Sequence, residues 1–330
     1  MRSGPRIRVA VIGAGVMGRH HAHAYLSLPS ADLVAMVDPD PNARAVAMRT
    51  FGCPVYADTH AMLADAPVDA ASVVTPTSLH HGTTADLLAA GVHALVEKPV
   101  ATSVAEATDL AERSRAAGLV LQVGHITRFY RAVRLLADRV EDPYLFDARR
   151  LTPHARIRDV GVILDLMIHD IDIVLGMVAS PIVSADVAGH TIEPGGHEDV
   201  AAAQLTFENG CVARFLASRV APDAERSLVV AERGRTTRVD FLREPQTEVA
   251  VYQARRGGDG DTHVRTDRHV VHEDNPLREE LEHFLDRIAL GAPPIGTLDD
   301  DLRSLRVATD LIGRLRPGAV PETERAPQVH

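Results

Sequence analysis

Short apolar runs alternate with longer amphipathic stretches along the first part of the chain. Runs of this length are typical of strands that are buried on both faces of a parallel sheet. Three of the stretches between them end at a glycine, the residue that most often follows the C-terminus of a helix. The pattern predicts strands at residues 8–12, 33–37, 70–75, 93–96 and 119–123, and helices at 41–51, 78–90 and 103–117. Right-handed crossovers would assemble these units into an open, doubly wound parallel sheet.

After Gly124 the pattern changes to longer segments in which apolar and polar residues alternate. Such alternation is typical of antiparallel strands with one solvated face, and Asn209-Gly210 is a strong signal for a tight hairpin. A strongly apolar helix is predicted over 161–178. The other elements predicted in this part are strands at 145–152, 201–208, 211–220, 227–232, 236–242 and 248–254, and helices at 128–140, 277–290 and 298–315.

These two patterns predict an α/β protein of two domains. Residues 1–124 would form an N-terminal Rossmann domain on a doubly wound parallel sheet. Residues 125–330 would form a C-terminal α+β domain for substrate binding and oligomerisation, built on a large, mainly antiparallel open sheet, with a poorly ordered tail at 317–330. One face of this open sheet needs a cover, so we expect a homo-oligomer, either a dimer or a tetramer.

The composition narrows the class of protein. A formal net charge of -10 argues against a nucleic-acid-binding surface, which needs a basic stripe. The two cysteines, Cys53 and Cys211, are far apart in the sequence, which argues against a disulfide framework. No apolar run approaches membrane-spanning length, and the first strand begins too early to follow a signal peptide. We therefore expect a cytoplasmic protein with no membrane or nucleic-acid partner.

The first strand leads into Gly13-Ala14-Gly15-Val16-Met17-Gly18, which opens the first helix. This spacing between a strand and a helix is typical of a dinucleotide-binding βαβ unit. Gly13 permits a tight turn, Gly15 lets the backbone approach a pyrophosphate, and Gly18 lets helix and strand pack closely. We expect the N–H groups of Val16 and Met17, at the helix N-terminus, to meet the pyrophosphate charge.

The second strand ends in Asp38, about twenty residues beyond the last glycine, where an acid accepts hydrogen bonds from the ribose hydroxyls of NAD. Asp40 adds a second carboxylate, and the two would repel the 2′-phosphate of NADP. Arg44 is the one nearby cation that opposes this preference. The predicted cofactor is NAD.

Two further segments follow predicted strands at the edge where open α/β sheets bind ligands. Glu97-Lys98-Pro99 would direct Lys98 toward the nicotinamide end of the cofactor, unless it is an ordinary surface lysine before a turn. Thr75-Pro76 would turn the chain over the cofactor, and His80 would either line the site or cap the next helix. We expect Thr75, Pro76, His80, Glu97 and Lys98 to border the cofactor.

A polar row lies on the apolar helix predicted over 161–178. A spacing of four places Asp165 and His169 on one helix face, and Asp172 extends the row. Polar groups are costly to bury on so apolar a helix unless they have partners or a function. The row is therefore either functional or a set of satisfied buried groups.

Together these segments resemble the Gfo/Idh/MocA oxidoreductase family over essentially the whole chain. The resemblance rests on the G-x-G-x-x-G start, T-P-x-x-x-H, E-K-P and D-x-x-x-H-D-x-D. It implies that Lys98, Asp165 and His169 form the catalytic set of a dehydrogenase. Histidine has the pKa range to take the proton of a hydroxyl, and Lys98 would stabilise the developing negative charge, although the two could exchange roles. Asp165 would orient His169 or bind a neighbouring hydroxyl.

Within that family, residues 121–129 and 156–172 are most similar to UDP-N-acetylglucosamine 3-dehydrogenases. The resemblance implies NAD-dependent oxidation of the C3 hydroxyl of a nucleotide-activated N-acetylhexosamine to a 3-keto sugar. Members of that group continue Arg-Phe with Asn-Pro, whereas Tyr130-Arg131 follow Phe129 here, so the sugar stays open. The alternative substrates are a free sugar, inositol or an aminocyclitol.

Guanidinium groups pair with phosphate in bidentate fashion, so Arg128, Arg156 and Arg158 are candidates for binding the diphosphate of a nucleotide sugar. Their alternative role is that of ordinary surface arginines. We also expect Asp172 in the substrate site. The segment His20-His21-Ala22-His23 looks like a metal-binding cluster, but it lies within the first helix, whose faces pack on the sheet or meet solvent. We therefore expect no metal.

Two other classes of function fit the same fold. A non-catalytic, NAD-sensing regulator would not need Lys98, Asp165 and His169, which are all present. A glycosidase that retains NAD would oxidise its substrate only transiently and would accumulate no NADH.

Overall fold

The computed structural model describes residues 6–153, 159–192, 196–242, 246–256, 262–272 and 275–315. The elements of the first half are β1 (Ile7–Ile12), α1 (Val16–Leu26), β2 (Ala31–Val37), α2 (Pro41–Phe51), β3 (Val55–Tyr56), α3 (Thr59–Asp65), β4 (Ala70–Val73), α4 (His80–Ala89), β5 (His93–Glu97), α5 (Val104–Ala117) and β6 (Leu121–Gly124). The elements of the second half are α6 (Arg131–Ala137), β7 (Pro143–Leu151), α7 (Ile168–Met177), β8 (Ile182–His190), β9 (Val200–Phe207), β10 (Val212–Ser218), β11 (Glu225–Glu232), β12 (Arg235–Asp240), β13 (Gln246–Arg256), β14 (Thr262–His272), α8 (Pro276–Leu290) and α9 (Leu298–Arg314).

The first sheet has six parallel strands in the order β3-β2-β1-β4-β5-β6. Val9, Val11, Ala71 and Leu95 on its strands are fully buried, as expected for a sheet covered on both faces. The strand order reverses between β1 and β4, and ligands bind such sheets in the crevice at that point, outside the carboxyl ends of the strands. The topology thus brings the turns after β1, β4 and β5 to one crevice.

The second sheet has eight strands in the order β14-β13-β12-β11-β7-β10-β9-β8. Its pairs are antiparallel except for β7 and β10, which run parallel. Helices α7 and α9 pack on each other over this sheet, and Ile171, Leu302 and Leu305 belong to the same buried apolar cluster as Phe215 of β10. The most apolar helix of the chain is therefore held between the sheet and α9.

Helix α8 packs on the first half of the chain. Its residues Leu281, Phe284 and Leu285 are buried in one apolar cluster with Tyr25 of α1 and Val9 of β1. The chain therefore returns to the Rossmann sheet after completing the second sheet, and this contact joins the two halves.

The predicted fold class is confirmed: a doubly wound parallel sheet is followed by a large, mainly antiparallel one. The pattern did not indicate β3, α3, β8 or β14. Two predicted helices are broken, because a 3-10 turn at Ile126–Phe129 precedes α6 and a π-helix at Ile163–Met167 precedes α7. The predicted tail at 317–330 lies outside the described residues. Among the helices that the structure describes, none combines the length and the apolar character needed to cross a bilayer.

Candidate active site

The glycines after β1 stand where side chains would collide or close the crevice. Gly13 has a φ of +106°, and a Cβ there would lie 2.6 Å from the carbonyl oxygen of Val74. A Cβ on Gly18 would lie 1.8 Å from the carbonyl oxygen of Gly13. Gly15, by contrast, is the N-cap of α1 and has open space at its Cβ position. Val16 and Met17 follow it with exposed side chains, so the first turn of α1 is accessible to an anion such as a pyrophosphate.

Asp38, at the end of β2, borders the same crevice. Its Oδ2 accepts the N–H of Ala14 at 2.7 Å, and its Oδ1 accepts the N–H of Asp40 at 2.9 Å. A carboxylate has about four lone-pair sites, so both oxygens keep the capacity to accept ribose hydroxyls. Arg44 donates through Nη1 to the carbonyl oxygens of Asp38 (2.9 Å) and Pro39 (2.8 Å). This arginine therefore holds the turn together through main-chain oxygens.

Lys98 and Asp165 connect the two halves of the chain. Nζ of Lys98, just after β5, donates to the main-chain oxygen of Asp165 at 2.7 Å and to its Oδ1 at 2.9 Å. Both side chains are mostly buried, with 12% and 7% of their surface exposed. An ammonium has three N–H donors, so this arrangement leaves Lys98 one donor for a ligand.

The π-helix at Ile163–Met167 explains why Asp165 points to Lys98. In this segment the N–H of Ile168 donates to the carbonyl oxygen of Ile163, five residues earlier. A turn of this kind is wider than an α-helical turn, so residues four apart no longer lie above one another. The expectation that Asp165 orients His169 assumed regular α-helix, and the structure replaces it with the bond between Asp165 and Lys98.

His169 lies in the first turn of α7 with 9% of its surface exposed. Its Nδ1 has no hydrogen-bond partner among the described residues. Burial lowers the pKa of His169 well below its ordinary value, and the nearby positive charges of Lys98 and Arg150 lower it further. The ring is therefore neutral at pH 7 and able to accept a proton.

The loop after β4 is tied to both halves of the chain. His80 is 1% exposed, and its ring nitrogens lie 2.8 Å from the carbonyl oxygen of Pro99 and 2.9 Å from that of Thr75. The N–H of Thr77 donates to Asp159 of the second half at 3.1 Å. His80 thus supports the loop, and its contact with the cofactor stays a prediction. Thr75 and Pro76 stay in the predicted place, at the carboxyl end of β4.

Glu97 also points away from the crevice. Its Oε1 lies 3.0 Å from Nε2 of His21, a fully buried residue of α1. Burial raises the pKa of the Glu97 carboxyl, but the hydrogen bond to His21 and the charge of Lys98 outweigh burial and lower it overall. Glu97 therefore fastens the end of β5 to α1, and its contact with the cofactor stays a prediction.

Arg128 and Asp172 bind each other. Nε and Nη2 of Arg128 donate to the carboxylate of Asp172 at 2.8 and 2.6 Å, and Nη2 lies 2.7 Å from Oδ1 of Asp301 on α9. The Ser304 hydroxyl donates to Asp172 at 2.9 Å. Both side chains are thus engaged with protein groups, and their role as substrate ligands stays a prediction.

A buried histidine, His125, stands beside this cluster. Its ring nitrogens lie 3.7 Å from Asp172 and 3.8 Å from Asp301, and burial lowers its pKa to about 4. Ligand atoms of the three residues lie within 4.8 Å of one another, but the Arg128 guanidinium supplies the positive charge there. Two carboxylates share this one cation, and burial together with Asp172 raises the pKa of Asp301 to about 7.

Two points about the site were not predicted from the sequence: that Lys98 stands out by its count, and that Glu198 takes part. Lys98 is the only lysine of the chain, and all other residues counted among the 35 Lys and Arg are arginines. This count could have identified Lys98 without any motif. Glu198, whose carboxylate lies at the start of the π-helix, carried no local signal. Arg156 and Arg158 lie outside the described residues.

Known proteins share both halves of this arrangement. Residues 7–125 match the family described as oxidoreductase family, NAD-binding Rossmann fold, and residues 130–237 match the Gfo/Idh/MocA C-terminal domain. The chain belongs to the Gfo/Idh/MocA family of oxidoreductases. Membership confirms the resemblance read from the sequence, and with it a nicotinamide cofactor, NAD(P).

Individual members of the Gfo/Idh/MocA family align with nearly all of this chain. UDP-N-acetylglucosamine 3-dehydrogenase from Acidithiobacillus ferrooxidans is 33% identical over 290 residues, which are 87% of this chain and 90% of that enzyme. The solved structure of that enzyme, GnnA, gives a TM-score of 0.84 at 31% identity and covers 94% of this chain and 98% of its own. The scyllo-inositol 2-dehydrogenase (NAD(+)) of Bacillus subtilis is 28% identical over 95% of both chains.

Proposed function

We propose that this Gfo/Idh/MocA oxidoreductase uses NAD to oxidise the C3 hydroxyl of a nucleotide-activated N-acetylhexosamine, such as UDP-N-acetylglucosamine, to the 3-keto sugar. The observation that carries the proposal is the contact of Lys98 with Asp165, near His169, where the second half of the chain meets the crevice of the Rossmann sheet. The similarity to the Acidithiobacillus ferrooxidans enzyme supports the choice of sugar.

The side chains divide the reaction between them. The nicotinamide, when bound, supplies the acceptor for the hydride that leaves the carbinol carbon. Lys98 directs its remaining N–H donor at the hydroxyl oxygen and stabilises the negative charge that develops there. His169, neutral at pH 7, accepts the hydroxyl proton, so that a C–H and an O–H bond are replaced by the carbonyl bond. Asp165 holds the ammonium in place, and in the reverse direction His169 or Lys98 returns the proton.

The preference for NAD over NADP follows from charge. Asp38 and Asp40 would repel a 2′-phosphate, and Arg44 is engaged with main-chain oxygens. Arg156 and Arg158 remain the proposed ligands of the sugar diphosphate, since the other predicted arginine is bound by carboxylates.

A second candidate keeps the chemistry and changes the substrate to a free sugar, inositol or aminocyclitol. The similarity to scyllo-inositol 2-dehydrogenase over 95% of both chains favours it. A sugar panel with NAD, followed by the absorbance of NADH, separates the two. We expect turnover of UDP-N-acetylglucosamine and little turnover of N-acetylglucosamine or inositols. Turnover of free polyols without turnover of UDP-sugars would reject the first candidate, and release of an aglycone without NADH would indicate a glycosidase.

We also propose that the enzyme is a homo-oligomer of the reducing cytoplasm. Both cysteines, Cys53 and Cys211, are buried and unpaired, in keeping with a reducing compartment. Light scattering on the purified chain tests the assembly, and the mass of a single chain would exclude it.

A further inference from the structure

The contact between Lys98 and Asp165 depends on a main-chain oxygen as well as on a carboxylate. Lys98 donates to the carbonyl oxygen of Asp165 at 2.7 Å, a shorter distance than the 2.9 Å to the side chain. In a regular α-helix that carbonyl would accept the N–H four residues later. The π-helical turn changes this pattern, so the position of Lys98 depends on whatever maintains the π-helix.

Glu198, just before β9, holds the first turn of that π-helix. Its Oε1 accepts the N–H of Ile163 at 2.9 Å, and its main-chain oxygen accepts the N–H of Val162 at 3.1 Å. The first N–H groups of a helix have no partners within the helix, and a negative charge there is favourable. Glu198 is 8% exposed, so water competes little for these bonds.

Gly161 makes room for this carboxylate. A Cβ on Gly161 would lie 2.1 Å from the carboxyl carbon and from both oxygens of Glu198. The Gly161 carbonyl in turn accepts the N–H of Asp165 at 2.9 Å. The absence of a side chain at 161 is therefore explained by the approach of Glu198.

The neighbouring residue anchors Glu198 in turn. Asp199 is fully buried and accepts Nε of Arg219 at 2.5 Å and the N–H of Ile192 at 2.6 Å. Arg219 also donates to the carbonyl oxygen of Val160 at 2.9 Å. The backbone of 160–163 is thus bound on both sides of Gly161 by residues at the start of β9 and the end of β10.

We propose that Glu198 is a positioning residue: through the π-helix it sets the two Asp165 oxygens that hold Lys98, without touching substrate or cofactor. This inference rests on the proposed function for its kinetic consequence. It also has a consequence that can be measured without a sugar substrate, namely the reactivity of Lys98, because Lys98 is the only lysine of the chain.

The test compares Glu198→Ala, Glu198→Gln and Gly161→Ala in the full chain. Glutamine keeps an oxygen that can accept the Ile163 N–H, and alanine at 161 displaces the carboxylate without removing it. Glu208→Gln, at an exposed carboxylate of the second half, is the matched control. Misplacement of a reacting group by about 1 Å can cost on the order of 100-fold in rate. We expect kcat to fall by about that factor in Glu198→Ala and Gly161→Ala, and less in Glu198→Gln, with the KM for NAD unchanged.

Acylation of Lys98 provides the second measurement. The proteins are treated with acetic anhydride at fixed pH and the labelled peptide is quantified by mass spectrometry, with Lys98→Ala as the blank. A lysine released from two acceptors is expected to react about two- to tenfold faster in Glu198→Ala than in the wild type. A folded Glu198→Ala protein with wild-type labelling overturns the proposal, whatever its kcat. If the wild type oxidises no sugar but the labelling changes as expected, the proposed function fails and this inference stands.

Discussion

Two carboxylates seven residues apart each bind a cation, and only one of these contacts belongs to the proposed catalytic set. Asp165 binds Lys98, whereas Asp172 binds Arg128. Exposure does not separate them, because 12% of the Lys98 side chain and 13% of the Arg128 side chain are accessible. The difference lies in the acidic partners of each cation, which are one carboxylate for Lys98 and two for Arg128.

Lys98 uses two of its three N–H donors on Asp165, so one is left. Arg128 donates through Nε and Nη2 to Asp172 and through Nη1 to the carbonyl oxygen of Ile295, and its Nη2 also lies 2.7 Å from Asp301. An arginine fork fixed by two carboxylates is a structural element, whereas an ammonium with a spare proton can act on a substrate. The comparison teaches that the type of cation and the number of carboxylates that bind it distinguish these two contacts better than burial does.

The largest effect is expected from breaking the structural contact. Arg128→Met leaves Asp172 and Asp301 buried without their cation, which is expected to lower the free energy of unfolding by about 3–5 kcal/mol. Arg115→Met is the matched control, because Arg115 pairs with Asp299 on the surface, where such a pair contributes about 0–1 kcal/mol. Urea denaturation measures both. A loss in Arg128→Met no greater than in the control would mean that the cluster does not hold the fold.

Breaking the catalytic contact is expected to affect rate and spare stability. Lys98→Ala removes the donor to the reacting oxygen, and such a loss typically lowers kcat by about 10²–10³-fold. NAD affinity, measured by titration, should stay unchanged, because the contacts proposed for most of the dinucleotide are those of the glycine turn and Asp38. Asp165→Asn keeps one oxygen toward Lys98 and should lie between this variant and the wild type. Full activity of Lys98→Ala would refute the site.

The same comparison shows what the sequence could predict. The turn at Gly13–Gly18 and the acid Asp38 were found because a turn, a helix start and a strand end are set by neighbouring residues. Lys98, Asp165 and His169 were recognised by resemblance. Their partners were not, because the π-helix depends on Glu198, which is distant in the sequence.

Long-range contacts explain the other errors too. A spacing argument places Asp172 in the row of Asp165 and His169, but it cannot show that Asp301 of the last helix joins Arg128 there. Strand β14 was missed because its outer position in the sheet allows charged residues along its length, which hides the apolar alternation. Strand β8, at the opposite edge of the sheet, was missed as well.

The sharing of Arg128 by two carboxylates predicts a pH dependence. The pKa of Asp301 is raised from 3.8 to about 7 by burial and by Asp172, so between these values the folded state binds more protons than the unfolded state. This carboxyl therefore makes stability fall as the pH rises from about 4 to about 7. Asp301→Asn removes that contribution, and its stability relative to the wild type should rise by about 1 kcal/mol per pH unit.

Taking the difference between variant and wild type cancels the contribution of titrating groups that lie away from Asp301. Asp299→Asn, at an exposed carboxylate of the same helix, is the matched control. Denaturant titrations at several pH values measure both variants. A flat difference for Asp301→Asn would show that Arg128 satisfies both carboxylates equally.

The smallest expected effect concerns the pKa of His169, the proposed base. The exposed Arg226 is among the groups that lower the pKa of His169, behind burial, Lys98, Arg150 and His125. Arg226→Gln removes one of these charges, so the pKa of His169 should rise and the acid limb of kcat/KM should move to higher pH. For an exposed charge we expect a shift of roughly half a pH unit or less, reduced further by salt. Arg268→Gln, at an exposed arginine of β14, is the control. The same shift in both variants would exclude His169 as the group whose protonation stops the reaction. A shift to lower pH in Arg226→Gln would exclude it as well.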